Sequence, residues 1–399
     1  MTPHDVDHIA NPYRPGAGHK PPYIAGRDKE QTDIERYFKQ DQVLTNVVLT
    51  GLRGVGKTVF LDELRKPASS HRWYWVGTDL SESASISEDN LATRLLADLA
   101  VVTSGFTYHE KVPAGPGFMQ QGSTVVRTLD FHYLRAVYEA TPGLIMDKLK
   151  QVLELSWSAI QHAGARGIIF AYDEAQNLAD HAAKEQYPLS TLLDLFQSIQ
   201  RKGIPYMLLL TGLPTLFPKL VEARTYAERM FHVVTLNRLD DEDCRDAITK
   251  PVEHFSTRFT ENGINRICAV SGGYPYFVQF ICRESFDLIL RGERLDESRF
   301  QSIVAKLDTD FFAGRWARAT DRQRDLMNLI AALPNADIEF SVQDIVEASR
   351  LAPEKAFSSS HVNQMLVSLV GAGLIFKNRH GRYAFAVPLL SHFIIRQLN

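Results

Sequence analysis

The stretch Val47-Val48-Leu49-Thr50-Gly51-Leu52-Arg53-Gly54-Val55-Gly56-Lys57-Thr58 decides the fold. It joins an apolar, β-branched run to a glycine-rich turn ending in Lys-Thr, and Val59-Phe60-Leu61-Asp62-Glu63-Leu64 then reads as a helix. Residues 51–58 satisfy G-x-x-x-x-G-K-[ST] in full, in the strand, turn and helix context that the pattern requires. Glycine lets the backbone curl so that successive N–H groups and the helix N-terminus face phosphate oxygens. Gly51, Arg53, Gly54, Val55, Gly56, Lys57, Thr58 and Val59 are therefore the candidate phosphate-binding residues. Lys57 is expected to place its charge on the β- and γ-phosphates, and the Thr58 hydroxyl to help hold Mg²⁺. ATP or ADP with Mg²⁺ is the implied ligand.

Working outward, 399 residues exceed one ordinary core, so two or three domains are expected. A hydrophobic share of 45% and a charged share of 23% are those of a soluble globular protein. The formal net charge of -3 supplies no global basic field, so nucleic-acid binding has to come from a local patch. Cys244, Cys268 and Cys282 lack C-x-x-C spacing and clustered His partners, which argues against a disulfide framework or a zinc site. Residues 1–22, rich in Pro, Gly and His, read as a flexible segment with no apolar core for a signal peptide, and His4 and His8 as solvated chain. No apolar run reaches membrane-spanning length, so a cytoplasmic protein without membrane contact is expected.

Periodicity places a helix over 28–39, strands at 47–50 and 73–76, and helices over 88–102 and 144–162. Gly167-Ile168-Ile169-Phe170-Ala171-Tyr172-Asp173-Glu174 is an apolar strand with two carboxylates at its C-terminal end, where parallel sheets bind ligands. A helix over 189–200, a strand Tyr206–Gly212 and a run Phe231–Leu236 complete the set. Apolar strands alternating with helices imply a parallel sheet covered on both faces. Between Gly105 and Gly143 the pattern fails at Pro113, Gly115, Pro116, Gly117 and Gly122, as in an insertion, although 131–140 could be a helix. Beyond Asn237 helices occupy 240–254, 260–270, 276–290 and 296–312. Helices 321–333, 341–349 and 358–372, followed by a turn at His380-Gly381 between apolar-alternating runs, read as a winged helix-turn-helix.

Phosphoanhydride hydrolysis needs a cradle, a metal, a positioned water and a detector of the γ-phosphate. Asp173 stands where a carboxylate would hold the Mg²⁺ water shell, and Glu174 could act as general base on the attacking water. Thr211, ending its strand, could touch the γ-phosphate or the water, or could be a capping residue before Pro214.

These features resemble the AAA+ class of P-loop ATPases, and within it the group of archaeal origin-recognition ATPases and STAND signal-transduction ATPases. The resemblance runs from Asn11-Pro12-Tyr13 through Gly26-Arg27-Asp28 to the C-terminal module. It implies an α/β P-loop NTPase sheet of order 5-1-4-3-2 over 23–237, a helical lid over 238–312 and a winged helix-turn-helix over 313–399. It also implies adenine-side roles for Ile24, Gly26 and Arg27, and a sensor-1 role for Thr211. An arginine finger acting on a neighbouring subunit would come from the helix before the last strand, where Arg229 fits the position better than Arg224; a surface arginine paired with Glu228 or Glu222 is the alternative.

Two departures bear on function. Where AAA+ lids carry a sensor-2 arginine, this chain reads Ser271-Gly272-Gly273-Tyr274-Pro275-Tyr276, closer to STAND-type ATPases in which the proline packs near the nucleotide, and Arg283 comes too late. That favours a slow switch over a fast motor. The insertion after Gly105 has no assigned counterpart.

The C-terminal module offers Ser359, Ser360, His361, Asn363 and Gln364 on its recognition-helix candidate, with no Lys or Arg. Lys377, Arg379 and Arg382 make a basic cluster on the wing, suited to duplex-DNA phosphates. The leading expectation is an ATPase whose nucleotide state sets a DNA-bound winged helix, in a homo-oligomer or alone. The alternative is a signalling or defence switch with protein partners, and a metabolic kinase is the weakest fit.

Overall fold

The computed structural model describes residues 11–112, 123–256, 258–351, 356–379 and 381–398. His4 and His8 lie outside them, as does part of the insertion. The chain divides into two compact units, one of Asp28–Thr50 with Phe60–Thr235 and one of Met1–Arg27, Gly51–Val59 and Leu236–Asn399.

The first unit is built on five parallel strands: β1 (Asn46–Thr50), β2 (Trp73–Val76), β5 (Gly167–Tyr172), β6 (Tyr206–Gly212) and β7 (Phe231–Thr235). They lie in the order β2-β5-β6-β1-β7, which among these five is the expected 5-1-4-3-2 read from the other edge. Every residue of β1, β5 and β6 is buried, whereas the edge strands β2 and β7 bury only part of theirs. Central strands covered on both faces need continuous Val, Ile and Leu, which is why the sequence marks them so clearly. Ile168, Phe170, Tyr206, Leu208 and Leu210 pack with Leu192, Phe196 and Ile199 of the Pro188–Arg201 helix and with Leu149 and Val152 of the Ile145–Ile160 helix. In register, Leu49 stands beside Thr211 and Thr50 beside Gly212.

The insertion is more regular than its sequence suggests. Strands β3 (Thr107–Val112) and β4 (Ser123–Thr128) pair antiparallel, Thr107 with Thr128 through Val112 with Ser123. The Phe131–Ala140 helix follows, capped by Asp130 through the Tyr133 N–H at 2.9 Å, and buries Leu134 and Tyr138 in the sheet unit's core. A hairpin whose two strands are far apart in sequence leaves no local turn signal.

The second unit has a separate core. Over the stretch expected to form the lid it has the helices Asp241–Thr249, Glu261–Ser271, Pro275–Leu290 and Glu297–Leu307, the last running on into a π turn at Asp308–Ala313. Next come the helices Asp321–Ala331, Val342–Arg350 and Ser359–Gly371 and the hairpin β8 (Ile375–Arg379) and β9 (Arg382–Phe385), the element order of a winged helix-turn-helix. Phe340 adds a bridge to Tyr383, and the Leu390–Leu398 helix packs back through Phe393 and Ile394.

Part of the 1–22 segment is fixed rather than flexible. Tyr13 is fully buried among Phe259 and Phe286, and its hydroxyl donates to the Ile248 carbonyl. The Asn11 amide donates to the Arg283 carbonyl at 2.8 Å and to Asp287 at 2.7 Å. An aromatic ring with a hydroxyl that reaches a carbonyl can be buried at little polar cost, and that anchors the chain ahead of Tyr23.

Candidate nucleotide-binding site

Strand β1 runs directly into the glycine turn. Gly51, Gly54 and Gly56 all have positive φ (158°, 80° and 89°), and a Cβ on Gly51 would lie 2.5 Å from the Leu236 carbonyl oxygen. Only glycine lets the turn approach that backbone so closely. Lys57 Nζ donates to the carbonyls of Gly51 and Leu52 at 3.0 Å each, so its charge is held inside the curl of the loop. Val55 is buried and Arg53 is exposed, while Thr58 and Val59 are half-buried at the start of the Lys57–Glu63 helix.

Around the loop, Arg27 is buried and donates to the carbonyls of Val55 at 3.0 Å and Asn237 at 2.8 Å. That guanidinium ties the P-loop to the segment that follows the last strand. Gly26 has φ 61°, and any Cβ there would collide with the Asp243 carboxylate; Ile24 beside it is half-buried. On the lid, Pro275 opens its helix at the first position, where a proline loses no hydrogen bond, and the Tyr276 N–H donates to the Gly54 carbonyl at 3.1 Å. Arg283 donates to the Tyr13 carbonyl at 3.2 Å, so it anchors the N-terminal segment.

In the sheet unit, Asp173 follows β5 and is buried, pairing through its backbone with Asp79 in a parallel bridge. Burial, then the charges of Asp173, Glu174 and Asp62, push the Asp79 carboxyl above its ordinary range. Glu174 is exposed with φ 51° and ψ 32°, a left-handed conformation that costs a non-glycine residue about 1 kcal/mol. Its carboxylate accepts from the Gln176 amide, and Gln176 in turn accepts from the Leu213 N–H at 3.1 Å. The side chain of Gln176 therefore links the Glu174 carboxylate to the end of β6, a contact that nothing in the sequence flagged.

Thr211 on β6 and Thr50 on β1 stand at the carboxyl ends of neighbouring strands, and both hydroxyl oxygens are buried without a hydrogen-bond partner among the described residues. A buried hydroxyl left unpaired costs about 1–3 kcal/mol, so such a pair calls for a polar ligand. Thr211 is the residue that the sequence singled out here; Thr50 was overlooked, although its place directly before Gly51 could have signalled it. Among the described residues no group of three or more His, Cys, Asp or Glu could hold a metal. Mg²⁺ that accompanies a nucleotide keeps several of its waters and needs only one or two protein ligands, and the Thr58 hydroxyl at the start of the Lys57–Glu63 helix is a ligand of that kind.

The two finger candidates separate cleanly. Arg224 forms a forked pair with Asp194 at 2.9 and 2.7 Å, and the Tyr226 hydroxyl donates to the same carboxylate at 2.6 Å. Arg229, on the short Ala227–Met230 helix, is exposed and has no ion pair among the described residues. On the C-terminal hairpin, Lys377 is exposed, but Arg382 pairs with Asp344 at 3.2 Å, so one of the three expected DNA contacts is already engaged. The side chain of Arg379 lies outside the described residues.

A domain of unknown function, DUF8462, matches residues 309–394. No curated protein matches the chain. Among solved structures, a Walker-type ATPase of Pyrococcus abyssi, PABY2304, superposes with a TM-score of 0.58 at 17% identity over 93% of this chain and 96% of that one. The ORC2 protein of Aeropyrum pernix in its ADP form gives 0.55 at 14% identity over 96% and 97%. CDC6p of Pyrobaculum aerophilum gives 0.50 at 13% over 96% and 98%. The fold is thus the one expected, that of Walker-type and origin-recognition ATPases, shared over nearly the whole chain.

The Arg224 pairing makes a prediction about stability. Arg224→Ala is expected to lower unfolding stability at neutral pH by about 1–2 kcal/mol, the Asp194 fork being part-exposed, while Arg229→Ala leaves it within about 0.5 kcal/mol. Burial works to raise the Asp194 carboxyl, but its bonds from Arg224 and Tyr226 hold it below the ordinary range. Its contribution is then complete above the ordinary carboxylate pKa and lost as pH falls through the lowered one. Urea unfolding of parent and variant across acid pH should show the Arg224→Ala difference shrinking as the solution is acidified.

Proposed function

We propose that this protein is a Mg²⁺-dependent ATP-binding and ATP-hydrolysing switch whose nucleotide state sets the C-terminal module. The observation that carries the reading is that the P-loop clusters with the lid and that module, with Tyr276 bonded to Gly54 and Arg27 bonded to Val55. A change at the phosphates is then a change in the packing of the lid.

In this reading the backbone N–H groups of Gly51 to Val59 and the Lys57 ammonium bind the phosphates, and Ile24, Gly26 and Pro275 flank the base and sugar. Thr58 and Asp173 would hold Mg²⁺, which supplies charge neutralisation on the phosphate oxygens. Glu174, oriented by Gln176, accepts the proton of the attacking water. The Thr211 and Thr50 hydroxyls orient that water or the terminal phosphate. Arg229 acts on a neighbouring subunit's site, which makes turnover dependent on assembly. With no arginine opening the Pro275–Leu290 helix, turnover in an isolated chain is slow. No described helix is long and apolar enough to cross a membrane, and a cytoplasmic location fits the reading.

Duplex DNA is the first candidate for the output, through Lys377, Arg379 and backbone groups of the wing, with Arg382 available only by giving up Asp344. A protein partner is the second. It is favoured by the outer face of the Ser359–Gly371 helix, which has no Lys or Arg and exposes Val367 to 71%. Groove reading leans on Arg or Lys to guanine, and this face has neither.

Lys57→Ala should lose ATP binding in calorimetry, since only backbone donors would hold the phosphates. Glu174→Gln should keep binding and lose turnover by about 100-fold or more, because an amide cannot take the water's proton. Turnover at the parent rate in Glu174→Gln would place the base elsewhere.

For the output, Lys377→Ala combined with Arg379→Ala should weaken DNA binding alike across sequences and flatten its salt slope by about 2 in log–log terms, as for two lost phosphate contacts. Absence of any parent gel shift at low salt, with and without ATP, would move the assignment to the protein-partner switch.

A further inference from the structure

The lid's last helix, Glu297–Leu307, widens into the π turn Asp308–Ala313 and then makes one more turn, Gly314–Trp316. π turns are uncommon and gather at functional sites. Phe311 on this turn packs against Tyr276 at 5.1 Å between ring centroids, and Tyr276 is the residue whose N–H holds Gly54. The Arg315 guanidinium lies 4.3 Å over the Phe311 ring and donates to the Phe311 carbonyl. Arg315 is thus joined to the phosphate cradle through Phe311 and Tyr276.

Its charge is poorly matched to these surroundings. Arg315 is half-buried and pairs with no carboxylate among the described residues, and Arg53 of the P-loop and Arg318 oppose its charge. Burial first, then Arg53, lowers the Arg315 pKa, yet a guanidinium keeps its proton at neutral pH. A half-buried cation set against a like charge costs free energy that a multiply charged anion would offset. Arg53 lies within the loop that would wrap the phosphates, one residue before Gly54, and Arg315 belongs to the segment that packs on that loop through Phe311 and Tyr276.

We infer that Arg315 and Arg53 form a two-arginine clamp for the terminal phosphate of a nucleoside triphosphate. The inference rests on the nucleotide-binding reading above and adds to it the device that tells triphosphate from diphosphate. Forked guanidinium donors suit the three terminal oxygens, which the diphosphate lacks. The same π turn carries Asp308, which holds Arg396 of the Leu390–Leu398 helix at 2.9 and 2.5 Å. Recruiting Arg315 to the phosphate therefore acts on the segment to which the C-terminal helix is bound.

The test is calorimetric titration of the full chain with Mg²⁺ and either ADP or a non-hydrolysable triphosphate, for the parent, Arg315→Ala, Arg315→Lys, Arg53→Ala and Lys57→Ala. Both alanine variants are expected to lose about tenfold or more in triphosphate affinity and less than about threefold for ADP, with Arg315→Lys recovering part of the loss. Arg53 is exposed on the loop, so its variant reports even where Arg315→Ala disturbs the packing on Phe311. Equal losses for the two nucleotides, or no loss, in a parent that binds both would overturn the clamp while leaving the nucleotide site standing. A parent that binds neither nucleotide, or Lys57→Ala that binds both normally, would overturn the site and the clamp with it.

Discussion

One hydrogen bond organises this protein's second unit: the Tyr276 N–H to the Gly54 carbonyl, at 3.1 Å. It is a helix N-terminal N–H, one of the donors that has no partner within its own helix, and it is spent on the phosphate-binding turn. The lid is thereby fastened to the loop it is expected to sense. Arg27 adds a second fastening, through Val55 and Asn237. From Tyr276 the packing continues through Phe311 and Phe277 to Phe312, which stacks on Phe393 of the C-terminal helix at 5.2 Å and 18° between ring planes. Packed aromatic rings deform little, so a displacement at one end of such a row is passed on as a shift of the whole.

The sheet unit supplies a different kind of constraint. Polar residues, Thr50, Asp173 and Thr211, stand at or beside the carboxyl ends of its three central strands, which is also where parallel sheets present ligands. Two of these ends carry buried hydroxyls without partners among the described residues, and Glu174 is held in a strained left-handed conformation beside the third. Unpaired buried hydroxyls and backbone strain both cost free energy, and such features gather where folds bind ligands.

Much of this was legible in the sequence. The P-loop, the five parallel strands and most helix spans could be read because buried parallel strands are continuously apolar and helices keep a 3.6-residue period. What could not be read depended on contacts between distant segments. The β3–β4 hairpin is interrupted by Pro113, Gly115 and Gly117, so neither strand announces its partner. Tyr13 sits in a Pro- and Gly-rich stretch that looks loose, and its burial rests on Phe259, Phe286 and Ile248, well over 200 residues away. Arg224 and Arg229 are equivalent as letters; only the position of Asp194 shows that one is locked and the other exposed. Arg315 carries no motif at all, and its interest arises from the π turn and from the charge it faces.

The central claim is that nucleotide at the P-loop is felt by the C-terminal helix through the lid. Amide hydrogen exchange of the full chain, with and without a non-hydrolysable triphosphate and Mg²⁺, measures this directly, since each segment reports its own opening equilibrium. The account predicts that slowed exchange extends from 51–59 through the Pro275–Leu290 helix and the Asp308–Ala313 turn to Leu390–Leu398. Changes confined to the P-loop and the ends of β1, β5 and β6, with exchange in the C-terminal helix unaltered, would contradict it.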